Sequence, residues 1–248
     1  MHIELQGLAK RYGPITAVED LTLSLAPGRV TGFVGANGAG KSTTMRMLLG
    51  LTRPDAGTAT FDGKTYAELR DPLRTVGAMV DPNVFHPGRT GRNALRVIAR
   101  AAQIPDSRVD HVLALVGLVG AAHRRVGGYS MGMRQRLALA SALLGDPGAV
   151  VLDEPANGLD PQGVHWLRGL IRELAAQGRT VFVSSHLLAE LAQTIDDVVV
   201  IAQGRLVIHE PMAALLGRAH GGSLEAVFLH LTSTTPVGSP PGNLKDRP

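Results

Sequence analysis

The chain has 248 residues, 44% of them apolar, with a formal net charge of +4; this suits one large or two small domains around a proper core and excludes a disordered chain. Having no cysteine excludes disulfides and thiolate metal sites, and the nine histidines show no metal-ligand spacing. No run approaches the roughly 18 apolar residues that span a membrane, Met1-His2-Ile3-Glu4 lacks the basic and apolar blocks of a signal peptide, and arginines are spread without a basic stripe, so the simplest reading is a cytoplasmic protein that works near anionic lipid or on a nucleotide and binds no nucleic acid.

Residues 2–8 alternate like a strand, and Lys10-Arg11-Tyr12-Gly13 then reads as a turn, which places Tyr12 in a loop. A second strand is predicted over about 17–25, with Pro27-Gly28 turning the chain into a short buried strand, Val30 to Val34. Next comes Gly35-Ala36-Asn37-Gly38-Ala39-Gly40-Lys41-Ser42, which fits the phosphate-loop pattern G-x-x-x-x-G-K-[ST] at every fixed position. A helix follows from Thr43 to Leu49 and stops at Gly50. Pro54-Asp55-Ala56-Gly57 is a turn, 58–61 a strand, and Asp62-Gly63 a hairpin turn. Residues 75–80 form another short buried strand that ends at Asp81-Pro82.

From about Gly91 to Leu144 the pattern is helical, broken at Pro105, Gly117, Gly120 and Gly127-Gly128, and reads as a helical insertion into an α/β core. The β/α rhythm returns with Ala149-Val150-Val151-Leu152, a continuous apolar run of the kind found in parallel strands covered on both faces. Asp153-Glu154-Pro155 follows, then a helix over about 162–176, a strand over 180–183 ending in Ser184-Ser185-His186, a helix over 187–194 and a strand over 197–202. Gln203-Gly204-Arg205 reads as a hairpin turn, and the tail from about Thr232 is rich in Ser, Thr, Pro and Gly and reads as disordered.

A strand, a glycine turn and a helix start make an anion site, because the first N–H groups of the helix lack intrahelical partners. Lys41 is expected to be exposed there and to pair with terminal phosphates, with the Ser42 hydroxyl on magnesium. The chain has only four lysines, Lys10, Lys41, Lys64 and Lys245, so an ammonium at position 41 suits a point-charge role. Asp153 closes a buried strand, where a carboxylate can hold magnesium through water, and Glu154 can act as general base or orient the attacking water. Ser130, in Tyr129-Ser130-Met131-Gly132-Met133, precedes a helix; on physics alone it is an N-cap, just as Tyr12 alone is an ordinary surface aromatic.

These motifs, in this order, resemble the ATP-binding subunit of ATP-binding-cassette transporters over about residues 2–232. The resemblance implies a P-loop α/β fold with an N-terminal antiparallel β subdomain and a helical signature subdomain at about 85–145, and leaves 233–248 as a tail. It makes Tyr12 the adenine-stacking aromatic, residues 129–133 the signature, Gly158-Leu159-Asp160 the D-loop and His186 the switch histidine, and it adds Gly35 to Thr43, Ser130, Gly132 and Asp160 to the nucleotide contacts. In the signature, Tyr129, Met131 and Met133 stand where the family writes Leu, Gly and Gln, as in drug-export and lipid-export subunits. Asp81 falls on the Q-loop position and implies a magnesium ligand through water. The implied mechanism is hydrolysis at Glu154 in a head-to-tail dimer, each ATP lying between one phosphate loop and the partner's Ser130 and Gly132. It drives a separate membrane permease from the inner face of the membrane, for export, a direction the segment 224–229 also suggests by its likeness to exporter subunits. The alternative is a soluble cassette ATPase acting on nucleic acid or ribosomes, but the chain has no heptads, no cysteine and a single phosphate loop.

Overall fold

The computed structural model describes residues 1–81, 84–218 and 224–233. The chain opens with strands β1 (Ile3–Tyr12), β2 (Ile15–Leu25) and β3 (Val30–Val34), followed by helix α1 (Lys41–Leu48) and strand β4 (Ala56–Phe61). Short helix α2 (Pro72–Thr75) leads into β5 (Val76–Met79), and three helices follow: α3 (Gly91–Ala101), α4 (Asp106–Leu115) and α5 (Met131–Ala142). The rest alternates as β6 (Ala149–Leu152), α6 (Pro161–Ala176), β7 (Thr180–Ser185), α7 (Leu188–Leu191), β8 (Asp197–Ala202) and β9 (Arg205–Pro211), then α8 (Met212–Arg218) and α9 (Leu224–Ser233). Of the expected tail, Ser233 ends α9 and residues 234–248 lie outside the described residues, as does Pro82 after Asp81.

Two sheets result. β2-β1-β4 is antiparallel, and β5-β6-β7-β3-β8-β9 is parallel except for β9. The unbroken apolar runs are explained by what covers the large sheet. Val150, Leu152, Val181, Val183, Val198 and Val200 face a core shared with α3 to α6. Val151, Phe182, Val199 and Ile201, which alternate with them, face a second core shared with α1 and the small sheet. Strand side chains alternate between faces, so a strand with two covered faces shows no polar alternation. Phe33 and Phe182 meet in the second core at 5.0 Å between ring centroids, both fully buried; each contributes about 1.5–3 kcal/mol of apolar burial.

Two expectations are corrected here. Tyr12 is the last residue of β1 rather than part of a loop, because pairing with β2 continues past several register shifts to Tyr12↔Ile15 and only Gly13-Pro14 turn. The helix expected over 187–194 is only the four residues of α7: after Leu191 the chain turns, and the buried Thr194 and Ile195 lead it down to β8.

Parallel pairing brings strand ends together. Val34 of β3 is level with Ser185 of β7, and Leu152 of β6 lies beside both Met79 of β5 and Val183 of β7. The segments after β3, β5, β6 and β7 therefore leave from one edge of the sheet, where open parallel sheets hold ligands.

Candidate active site at the strand ends

The loop from β3 to α1 encloses a cleft of about 280 Å³ lined by Ala17, Asn37, Gly38, Gly40, Lys41, Ser42, Thr43 and Glu154. Ala36 O accepts from Ala39 N at 3.0 Å to close the turn, and α1 starts directly at Lys41 with no side-chain cap. Its first residues, Lys41, Ser42 and Thr43, line the cleft, and their N–H groups have no helical partners. The loop is braced from outside by the β8–β9 turn, where Gly204 N donates to Ala39 O at 3.0 Å and Gly204 O accepts from Glu19 N at 2.8 Å. In the sequence Gly204 reads only as a hairpin residue.

Gly40 is the tightest point of the cradle. Its φ is +106°, and a Cβ there would lie 2.4 Å from the Ala17 carbonyl oxygen, whereas Gly38, at φ +81°, faces open space. Gly40→Ala is expected to cost more stability than Gly38→Ala: both carry the about 1–2 kcal/mol of left-handed strain, but only Gly40→Ala must also move β2. Urea unfolding of the two variants checks this, and equal midpoints would refute the bracing role of Ala17.

Lys41 corrects a further expectation. It is 6% exposed rather than solvated. Its ammonium donates to Gly35 O at 2.6 Å and Ala36 O at 3.3 Å, and lies 3.5 Å from Glu154 Oε1. An ammonium has three N–H donors, and burying them without partners is costly; the loop's own carbonyls and the nearby carboxylate supply them. Ser42 is exposed at the cleft and Thr43 half-buried, while Thr44 turns inward and donates to Gly40 O at 2.9 Å.

After β6, Asp153 N donates to Met79 O at 2.8 Å and Asp153 Oδ1 accepts from Ser184 Oγ at 2.5 Å. Glu154 has φ +48°, in the left-handed region. Its carboxylate sits between Lys41 on Oε1 and His186 Nδ1, 3.0 Å away, on Oε2. An ionised carboxylate only accepts, so His186 holds its proton on Nδ1 and donates. Asp81, exposed, stands two residues past Met79 on the neighbouring strand end.

The donor set fits magnesium. Ser42 and Asp153 offer hard oxygen ligands, with Asp81 on the adjacent strand end, and magnesium takes one or two carboxylates together with substrate phosphates and water. Among the described residues no group of three or more His, Cys, Asp or Glu could hold a metal ion; a magnesium ion here would take its remaining oxygens from phosphate and water.

The other predicted contacts lie elsewhere in this chain. Ser130 caps α5, its Oγ accepting from Met133 N at 3.2 Å, and Asp160 caps α6, its Oδ1 accepting from Gly163 N at 2.7 Å. The first turn of α5 packs near the segment before α6: a Cβ on Gly132 would come within 3.1 Å of Gly158 O. Tyr129 is buried and its hydroxyl donates to Ala121 O at 2.7 Å, which ties the start of α5 to the segment before it. Burial pushes its phenol pKa up. Tyr12 is 48% exposed at the hairpin end, with the Lys10 ammonium 5.5 Å from its ring centroid. It does not line the cleft, although Ala17 on the next strand does. Two site residues were missed in the sequence, Ser184 and Gln135. Gln135 donates to Glu154 O at 3.0 Å and Ser184 accepts from Glu154 N at 2.9 Å. Polar Ser184-Ser185 closing an apolar strand was the available signal for one; the other had none.

The model of the ABC transporter family matches residues 18–157. The chain is 40% identical to the bacitracin transport ATP-binding protein BcrA of Bacillus licheniformis, over 87% of this chain and 72% of that protein. It is 32% identical to the lantibiotic transport ATP-binding protein SrtF of Streptococcus pyogenes, over 84% of this chain and 90% of that protein. A solved structure described as the ATP-binding subunit of an ABC transporter superposes with a TM-score of 0.82 at 26% identity, covering 93% of this chain and 99% of that one.

Proposed function

The chain belongs to the ABC transporter family as an ATP-hydrolysing subunit, and on that premise we propose that Glu154 is the general base of a magnesium-dependent ATPase that drives a separate membrane permease for export. The observation that carries this reading is the Glu154 carboxylate held between Lys41, at 3.5 Å, and His186, at 3.0 Å, at the mouth of the phosphate loop.

The chemistry follows from these contacts. Phosphate oxygens offer Lys41 better acceptors than Gly35 O and Ala36 O, since they carry negative charge that attracts the ammonium directly whereas the carbonyls are neutral. As Lys41 turns to phosphate, Glu154 Oε1 is released to take a proton from the attacking water. His186 keeps Oε2 fixed and so holds the carboxylate plane. The N–H groups at the start of α1 receive the negative charge of the transferred phosphoryl group. Magnesium, held by Ser42 and Asp153 with Asp81 alongside, supplies charge neutralisation on the phosphates when bound.

Ser130, Gly132 and Asp160 do not line the Lys41 cleft of their own chain. A head-to-tail dimer gives them a role, with the start of α5 from one subunit closing the phosphate loop of the other and Tyr12 covering the base. Mixing Ser130→Arg with Lys41→Ala subunits is expected to restore one composite site. Losing the Ser130 cap costs about 1 kcal/mol, too little to unfold a domain. If heterodimers form and show no more ATPase than either parent, the shared site is wrong.

Within an ATPase domain of residues 1–232, the helical segment of about 85–145 is the lever that meets the permease. Among the described residues no helix is long and apolar enough to cross a membrane; the permease is a separate polypeptide and this subunit sits on the inner face of the membrane. The relatives named for bacitracin and lantibiotic transport favour a drug-like or lipid-like cargo over a soluble role on nucleic acid or ribosomes. The test is co-purification with a candidate membrane permease, and ATPase in proteoliposomes with and without that protein. A chain that neither binds it nor changes its turnover is not its motor.

A further inference from the structure

We propose that Gln135 and Ser184 are positioning residues that clamp the two peptide groups flanking the Cα of Glu154, and that through Gln135 the position of the Glu154 carboxylate depends on α5, the helix that begins at the signature. This rests on Glu154 being the base.

Glu154 occupies a conformation its local sequence disfavours. A non-glycine residue at φ +48° is strained. The residue after it is Pro155, whose ring pushes the preceding residue toward extended backbone. Relaxation to that extended form would swing the carboxylate away from both Lys41 and His186. Two hydrogen bonds oppose it. Before the Cα, Glu154 N donates to Ser184 Oγ at 2.9 Å, and the same hydroxyl donates to Asp153 Oδ1 at 2.5 Å. After the Cα, Glu154 O accepts from Gln135 Nε2 at 3.0 Å. One bond fixes the plane that sets φ and the other the plane that sets ψ. With proline next, the second plane has no N–H, so its carbonyl is the only polar handle.

Both clamping side chains are out of solvent, Ser184 at 0% and Gln135 at 3% exposure. Among the described residues Gln135 Oε1 has no hydrogen-bond partner, so its buried amide is oriented by Glu154 alone. The opposite amide flip would set two oxygens together. Gln135 lies on α5, five residues after Ser130, whose side chain caps that helix. Any tilt of α5 is therefore transmitted to the Glu154 peptide by one bond. Closure at Ser130 and proton abstraction at Glu154 are linked within a single subunit.

Gln135→Met keeps the length of the side chain and removes the donor. Its kcat is expected to fall about 10²-fold, the scale of a misplaced reacting group, with KM for ATP and affinity for a fluorescent ATP analogue held and the melting temperature lowered only by the loss of one donor to Glu154 O. In a Glu154→Gln background, single-turnover measurement is expected to show no further fall, since the two act as one unit. Ser184→Ala should also lower kcat, and Ser184→Thr, which keeps the hydroxyl, should recover it; because the same hydroxyl also holds Asp153, Ser184→Ala decides the matter, if Gln135→Met does not fold, by showing no further fall in the Glu154→Gln background. An unchanged kcat in Gln135→Met, or an equal fall in both backgrounds, overturns the clamp. Wild-type turnover in Glu154→Gln alone overturns the base assignment instead, so the two failures are read from different proteins.

Discussion

Glu154→Gln is expected to bind Mg-ATP normally and to hydrolyse it about 10²–10⁴-fold more slowly, the range for losing a positioned base. The substitution keeps the shape of the side chain. The bonds from Gln135 and Ser184 go to the Glu154 main chain and survive it. His186 Nδ1 can still donate to the amide oxygen. Lys41 loses a carboxylate 3.5 Å away, which frees its ammonium for phosphate, so affinity should hold or rise. What is lost is proton acceptance, because an amide takes no proton from water. In barrier terms this is about 3–5 kcal/mol. Unhydrolysed ATP would then keep bridging two subunits, and a ligand that binds only the closed form stabilises it by mass action. Size-exclusion chromatography with and without Mg-ATP should show a nucleotide-dependent dimer for the variant and a transient one for the wild type, beside a phosphate-release assay. Wild-type turnover would move the base elsewhere, and His186, 3.0 Å from the same carboxylate, is the next candidate.

What was legible in the sequence is what short-range physics dictates. The phosphate loop requires particular residues at fixed spacing, so it could be read without knowing what packs on it. The parallel strands could be read because two covered faces leave no polar alternation, as Ala149 to Leu152 shows. Segments whose state is set from a distance were misread. Tyr12 looked like a turn residue, and only pairing across to Ile15 makes it strand. Lys41 looked solvated because the motif names its ligand but not the carbonyls and carboxylate that bury it in this structure. Ser184 and Gln135 stand 30 and 19 residues from Glu154; nothing local marks them as its supports. Tyr129 was read as a departure from a motif, and its reason lies in the carbonyl of Ala121 that its hydroxyl meets.

Lys41→Ala is expected to weaken ATP binding about 10²-fold or more while the domain stays folded but less stable. The first part follows from charge: hydrogen bonds to charged groups are worth about 1.5–3 kcal/mol each, and the ammonium can make more than one to phosphate. The second part comes from the lysine being buried and bonded within the protein. Truncation leaves Gly35 O without the donor that now lies 2.6 Å away and removes the cation 3.5 Å from Glu154 Oε1, so that His186, on Oε2, is left as the carboxylate's neighbour. Leaving buried groups unpaired costs about 1–3 kcal/mol. The two effects are separable by a second substitution. Adding Glu154→Gln to Lys41→Ala removes the isolated carboxylate, so part of the lost stability should return in urea unfolding, while nucleotide affinity should not. Titration with a fluorescent ATP analogue and an unfolding curve on the wild type, both single variants and the double variant give all the numbers needed. Near-normal affinity in Lys41→Ala would remove the phosphate-binding role. A double variant no more stable than Lys41→Ala would show instead that the Lys41–Glu154 contact contributes nothing to the fold, leaving the loop carbonyls as the only reason the lysine lies buried.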